Sequence, residues 1–123
     1  MNETRYVKVI LDQNGNGVGE FPSIPFKVFK IKTISGAFED DSGTPTNGFY
    51  KVDCDLFNRN PVIIINGAET SVSRGGSFVE FNPPQDVQPM PVNFRMTLLD
   101  GTTPSITAGS ALGLIFEFQG VNC

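Results

Sequence analysis

Apolar and polar residues alternate along most of this 123-residue chain, and this pattern limits its possible folds more than any other feature. In the segment 111–119, every second residue is large and apolar: Leu112, Leu114, Phe116 and Phe118. Segments 5–11, 49–57 and 92–99 repeat the pattern. Successive side chains of a β-strand point to opposite faces of its sheet, so each segment predicts a half-buried strand. No segment shows the 3.6-residue period and the caps of a helix.

Turn-forming residues separate these segments at regular intervals. The segment 12–17 reads Asp-Gln-Asn-Gly-Asn-Gly, and both Asn66-Gly67 and Asp100-Gly101 are dipeptides that favour tight hairpin turns. About eight short strands and no alternation of strands with helices are typical of a sandwich. The sequence therefore predicts an all-β fold, an eight-stranded antiparallel β-sandwich that forms a single domain over residues 1–123.

The composition argues against enzymatic chemistry. The chain has no histidine, which removes Ser-His-Asp and Cys-His constellations and any imidazole metal site. The two cysteines are too few for a structural zinc site or a disulfide framework. Cys54 is interpreted as a buried thiol and Cys123 as a free terminal one, with a disulfide between them left open. We predict no catalytic residue and no cofactor.

One segment copies the first half of a calcium-binding loop. Asp12, Asn14 and Asn16 have the spacing of the first three ligands of an EF-hand, but Ser23 stands where that loop needs a bidentate Glu. The flanking segments also have strand periodicity rather than helical periodicity. We therefore interpret the segment as a β-turn and keep these three residues only as weak metal candidates.

Asp53 and Asp55 form a second carboxylate pair on one face of a predicted strand. The strand rise places them roughly 6–7 Å apart, a spacing that a glycosidase could use. The sequence offers no apolar pocket to raise the pKa of either residue, so we interpret the pair as an exposed strand face. A calcium ion held near this pair and the acidic segment 39–41 is the alternative.

The charge and hydropathy of the chain reduce the number of partner classes that we expect. The net charge is −4, and the densest basic series is Lys27, Lys30 and Lys32, which we interpret as a solvated strand face. We therefore expect no nucleic-acid partner, because such binding needs a basic stripe. No apolar run approaches the roughly 20 residues of a membrane span, and the N-terminal residues lack the apolar region of a signal peptide.

Three phenylalanines stand on strand faces that the pattern assigns to solvent. Phe49 and Phe57 alternate in phase with Lys51, and Phe78 alternates in phase with Glu80. Loops could cover such rings, or the rings could lie in an interface between subunits. We name Phe49, Phe57 and Phe78 as candidate interface residues because oligomerisation covers both apolar faces and open sheet edges.

The C-terminal third resembles a known family. The segment 92–104 ends a strand in an Asp-Gly turn, and the segment 112–118 follows it with the pattern Leu-x-Leu-x-Phe-x-Phe. Together they are similar to the closing hairpin of single jelly-roll capsid components of large DNA viruses and virophages, which serve as penton, minor capsid or cement proteins. The segment 50–56, with Asn60-Pro61 after it, fits the same layout.

This resemblance implies a structural virion protein of the jelly-roll type that acts by assembly. Its expected partners are further copies, as a trimer or pentamer, and neighbouring capsid proteins, and its expected location is the virion. The competing interpretation is a carbohydrate- or receptor-binding sandwich of the adhesin type, with calcium assistance as an option. Tryptophan is absent, and Tyr6 and Tyr50 are the only tyrosines, which disfavours an aromatic platform for sugars.

Overall fold

The computed structural model describes residues 1–39, 48–57, 61–66, 73–74, 77–104 and 106–121. These residues contain nine β-strands and no helix: β1 (Asn2–Leu11), β2 (Asn16–Phe21), β3 (Lys27–Glu39), β4 (Phe49–Cys54), β5 (Ile63–Asn66), β6 (Ser73–Arg74), β7 (Phe78–Gln85), β8 (Met90–Leu98) and β9 (Ala111–Val121). All of the strand pairs are antiparallel. The prediction of an all-β antiparallel fold is confirmed, and the strand beyond the expected eight is the two-residue β6.

The strands form one curled sheet. Its order is β5-β4-β8-β2-β1-β9-β3, and both β6 and β7 pair with the free side of β3. The curl brings β5, at one end of this order, within 8 Å of β3 and β6 at the other. The sheet therefore encloses its core as a half-barrel, a shape compatible with the two layers of a jelly roll.

The inner face of the sheet forms an aromatic core. All four alternating residues predicted for the last strand, Leu112, Leu114, Phe116 and Phe118, are fully buried. Phe116 is central to this core, with its ring centroid 5.2 Å from that of Phe21, 6.5 Å from that of Phe94 and 6.2 Å from that of Phe57. Tilted aromatic pairs at such distances contribute about 0.5–1.5 kcal/mol each beyond their area of burial.

Two irregularities in β3 interrupt the predicted alternation. The pairing register of β3 shifts between Val28 and Lys30 and again between Thr33 and Ser35. Phe29 and Ile34 are thus extra residues, as in a β-bulge, and each shift changes the phase of the alternation. The buried positions are Val28 before the first shift, Ile31 and Thr33 between the shifts, and Gly36 and Phe38 after the second, and Phe29 is only half-buried.

The segment 12–17 forms the predicted hairpin turn between β1 and β2. The Asp12 Oδ1 atom accepts hydrogen bonds from the backbone nitrogens of Asn14 at 2.8 Å and Asn16 at 3.0 Å. Gly15 takes a φ of +83°, which favours glycine. The predicted turn at Gly101 also forms, with a φ of +88°.

Candidate functional site

The outer face of the sheet carries large apolar side chains where a strand facing solvent should be polar. Tyr6 is 63% exposed, Ile10 is 52% exposed and Val18 is 55% exposed. Ile10 lies directly opposite Val18 in the β1–β2 pair and opposite Ala111 in the β1–β9 pair. Together with their neighbours on β9 and β3, these side chains form a continuous apolar surface, which we call the outer belt. It consists of Tyr6, Ile10, Val18, Ala37, Ala111, Gly113 and Ile115.

A shallow trough of about 190 Å³ crosses the outer belt. Gly113 forms its floor and lies opposite Lys8 on β1 and Ala37 on β3. The ring of Tyr6 lies over this glycine, because a Cβ atom added at Gly113 would stand 2.8 Å from the Tyr6 Oη atom. The small residues let the ring lie close to the sheet while 63% of Tyr6 stays exposed. Lys8 and Glu39 also line the trough.

A larger groove of about 590 Å³ adjoins the belt at Val18. Three neighbouring strands build it, since Arg95 on β8 lies opposite Asn16 on β2 and opposite Asp53 on β4. In the next row, the Asn93 Nδ2 atom donates to the Asp55 Oδ2 atom at 3.0 Å. The groove thus offers carboxylate, amide and guanidinium groups to a polar ligand.

Of the two predicted carboxylates, Asp53 lies on the outer face of β4 and Asp55 lies one residue beyond the end of that strand, and both line this groove together with Asp12. Asp53 lies opposite Arg95, and Asp55 accepts a hydrogen bond from Asn93, so each carboxylate has a polar neighbour of its own. Within the described residues, no group of three or more His, Cys, Asp or Glu side chains is placed to hold a metal ion. Asp40 and Asp41 lie outside the described residues.

Cys54 lies beneath the groove and points to the core. Burial of its side chain raises the pKa of the thiol from 9.0 to about 11, chiefly by desolvation, and backbone hydrogen bonds from Leu56 and Phe57 oppose this shift. The thiol is therefore protonated near neutral pH, which is the unreactive form. Cys123 lies outside the described residues, so its interpretation as a free thiol stays a prediction.

Two of the three candidate interface phenylalanines lie on the surface. Phe49 is 56% exposed and Phe78 is 46% exposed. The exposed Ile64 lies on β5, two positions from Asn66, the residue that pairs with Phe49. Phe78 is covered on one side by Lys30, whose Nζ atom lies 4.3 Å from the ring centroid.

The placement of Phe57 on the outer face is wrong. β4 ends at Cys54, and a turn follows in which the Phe57 backbone nitrogen donates to the Cys54 carbonyl oxygen at 3.2 Å. The turn directs Phe57 into the core, where it is only 5% exposed and packs against Phe116. Without that turn, the alternation that places Phe49 outside would have placed Phe57 outside as well.

The sequence reasoning overlooked the outer belt. The alternation places Val7, Val9 and Leu11 on the buried face of β1, and this leaves Tyr6 and Ile10 on its outer face. Two large apolar residues on the strand face that alternation assigns to solvent are the sequence feature that indicates this surface. The pairing of Ile10 with Val18 and Ala111 depended on strand order, which the alternation does not give.

Among the described residues, no helix is long and apolar enough to cross a membrane. A scan against protein-family models finds no family that matches this chain, and a search of curated proteins finds no similar sequence.

Proposed function

We propose that this chain is a non-catalytic structural subunit that functions by assembling with further copies and with neighbouring proteins of a viral shell. The observation that carries the proposal is the apolar outer face of a sheet whose inner face alone supplies the core. Tyr6, Ile10 and Val18 lie in its centre, and Phe49 with Ile64 lies towards the β5 end.

Contiguous apolar surface on a folded domain favours association. Complete burial of a large apolar side chain stabilises a contact by about 1.5–3 kcal/mol, and interface cores are enriched in aromatic side chains relative to the remaining surface. On the outer face, Lys8 and Glu39 lie beside such residues and border the trough. An apolar centre with a polar rim is typical of protein–protein interfaces.

The viral role and the oligomer size depend on the resemblance of segments 92–104 and 112–118 to jelly-roll capsid components. A trimer or pentamer is the assembly that this resemblance implies. The net charge of −4 favours contact with other shell proteins over contact with the genome. The location of such a subunit is the virion.

Solution mass and particle association test this proposal. Sedimentation velocity over a hundredfold range of concentration should show a closed oligomer, and the tagged chain should co-purify with intact particles through a density gradient. A chain that stays monomeric at all concentrations and is absent from the particles would contradict the proposal.

Saccharide binding is a second candidate, favoured by the exposed ring of Tyr6. The ring lies beside a trough bordered by Lys8, Glu39 and Ser35, which can hydrogen-bond to sugar hydroxyls. A glycan array with the wild-type chain and with Tyr6→Ala tests it, and Ile64→Ala serves as the control for loss of an exposed apolar side chain elsewhere. Binding that survives Tyr6→Ala would remove this candidate site.

A further inference from the structure

We propose that the trough on the outer belt is a two-fold contact at which two copies of this chain pack outer face to outer face. The inference rests on the proposed assembly function and adds the surface, the partner and the symmetry. In a shell, this contact would join two rings, while other surfaces, such as the one at Phe49, would close each ring.

The shape of the outer belt suits a copy of itself. Ile10 and Val18 form a ridge of two side chains, each more than half exposed. Beside this ridge, Ala37, Ala111 and Gly113 leave the trough of about 190 Å³. A two-fold axis near the trough places the ridge of each copy against the small residues of the other, so that both ridges are buried and both troughs are filled.

The charges around the trough are also self-complementary. Lys8 lies on the β1 side, opposite Gly113, and Glu39 lies on the β3 side, opposite Ala111. Among the described residues, neither Lys8 nor Glu39 has an ion-pair partner. A two-fold axis between these two borders brings Lys8 of each copy towards Glu39 of the other, which forms two equivalent ion pairs. One cation and one anion on opposite borders of a trough are the arrangement that an isologous contact requires.

This pairing can be tested by charge reversal and mixing. Lys8→Glu alone places carboxylates against carboxylates in a symmetric pair, and Glu39→Lys alone places cations against cations. Each variant should weaken the two-fold association at least about tenfold in sedimentation equilibrium, because opposed like charges cost several kcal/mol at an interface. An equimolar mixture of the two variants should associate about as tightly as the wild type, since both ion pairs form in the mixed contact. Ion pairing within one chain would not produce this recovery.

Two controls separate the trough from general effects of charge and from unfolding. Lys51→Glu and Glu80→Lys make the same charge changes on the outer face outside the trough, and they should leave the two-fold association unchanged. Gly113→Ala tests the shape without a charge. The added methyl group meets the far end of the flexible Tyr6 side chain, so the chain should fold while the trough is filled and the association weakens. Circular dichroism should show the same strand content for every variant.

The outcomes distinguish this inference from the assembly function. If the wild type forms oligomers whose mass is unaffected by Lys8→Glu and Glu39→Lys, or if the mixture fails to recover, the two-fold trough contact is wrong and the assembly function stands. If the wild type is monomeric at every concentration and absent from particles, both are wrong. If the chain is monomeric and its trough binds a saccharide through Tyr6, the ligand of the trough is a sugar and the proposed contact between two copies is wrong.

Discussion

The two faces of β1 and β9 both carry large apolar side chains but differ in how much of them is buried. On the inner face, Val7, Val9 and Phe116 are at most 2% exposed and contact the core. On the outer face of the same strands, Tyr6 and Ile10 are large and apolar but more than half exposed. Alternation alone would make the outer face polar, and the proposed association is our explanation for its apolar residues.

This contrast has a physical basis in what each face can bury. The inner face is closed by the curl of the sheet, and its side chains lose their contact with water when one chain folds. The outer face gains nothing comparable on folding, because within the described residues the belt at Tyr6 and Ile10 remains exposed. Substitutions on the two faces should therefore separate the stability of the monomer from the strength of association.

The largest expected difference in the free energy of unfolding is between variants at two neighbouring residues of β9. Phe116→Ala should lower the free energy of unfolding by about 3–5 kcal/mol, since it removes a fully buried ring from contact with Phe21, Phe57 and Phe94. Ile115→Ala, on the outer face, should lower it by about 1 kcal/mol. Urea denaturation at a concentration that keeps the chain monomeric measures both, and equal losses would contradict the assignment of the two faces.

A similar pair tests the corrected position of Phe57. Phe57→Ala should lower the free energy of unfolding by about 3 kcal/mol, because the ring packs against Phe116. Phe49→Ala, an identical change at an exposed position, should alter it by less than about 0.5 kcal/mol. If the two variants lost equal stability, the turn that directs Phe57 inward would be in doubt.

The alternation in the sequence was sufficient to predict the strands and their buried faces, since β1, β4, β8 and β9 follow it almost without interruption. It failed where the backbone leaves the regular strand. The bulges in β3 and the turn after Cys54 each change which face a residue occupies, and no residue type in the sequence marks these sites.

The groove at Asp53 and the trough could not be predicted from the sequence for a different reason. Asp53 and Arg95 meet because β4 pairs with β8, and Lys8 and Glu39 share the trough because β9 lies between β1 and β3. Such neighbours are set by the order of strands in the sheet. Period-two patterns identify strands and faces but do not determine that order.

Two glycines with nearly the same φ provide the next test, since one lies against the fold and the other on its surface. A Cβ atom at Gly15 would lie 2.2 Å from the Met96 carbonyl oxygen, whereas a Cβ atom at Gly101 would meet nothing within 4 Å. Gly101→Ala should lower the free energy of unfolding by about 1 kcal/mol through backbone strain alone. Gly15→Ala should lower it by about 2–3 kcal/mol, because overpacking is added to the same strain. Thermal and urea unfolding of the two variants measure the difference.

A buried thiol makes stability sensitive to alkaline pH. The pKa of Cys54 is raised from 9.0 in the unfolded chain to about 11 in the folded one, so the folded chain holds this proton more tightly. Its contribution to stability is complete below pH 9 and is lost as the pH rises from about 9 to about 11. In a Cys123→Ser background, the free energy of unfolding should decline more steeply across this range than it does when Cys54→Ala is added. Parallel curves would contradict desolvation of the thiol.

Asp100 gives the opposite shift in pKa and the smallest expected effect, because it is exposed to solvent and hydrogen bonds are the main cause of its shift. The Thr102 backbone nitrogen and hydroxyl donate to its Oδ1 atom at 3.0 and 2.7 Å, and they lower the pKa of the carboxyl below 3.8. The lowered pKa stabilises the fold above about pH 3.8, and this contribution disappears as the pH falls through the lower folded value. Thr102→Val removes the hydroxyl bond and keeps the backbone one, so the pKa of Asp100 measured by NMR titration should rise part of the way towards 3.8. An unchanged pKa in this variant would contradict a contribution from the hydroxyl hydrogen bond.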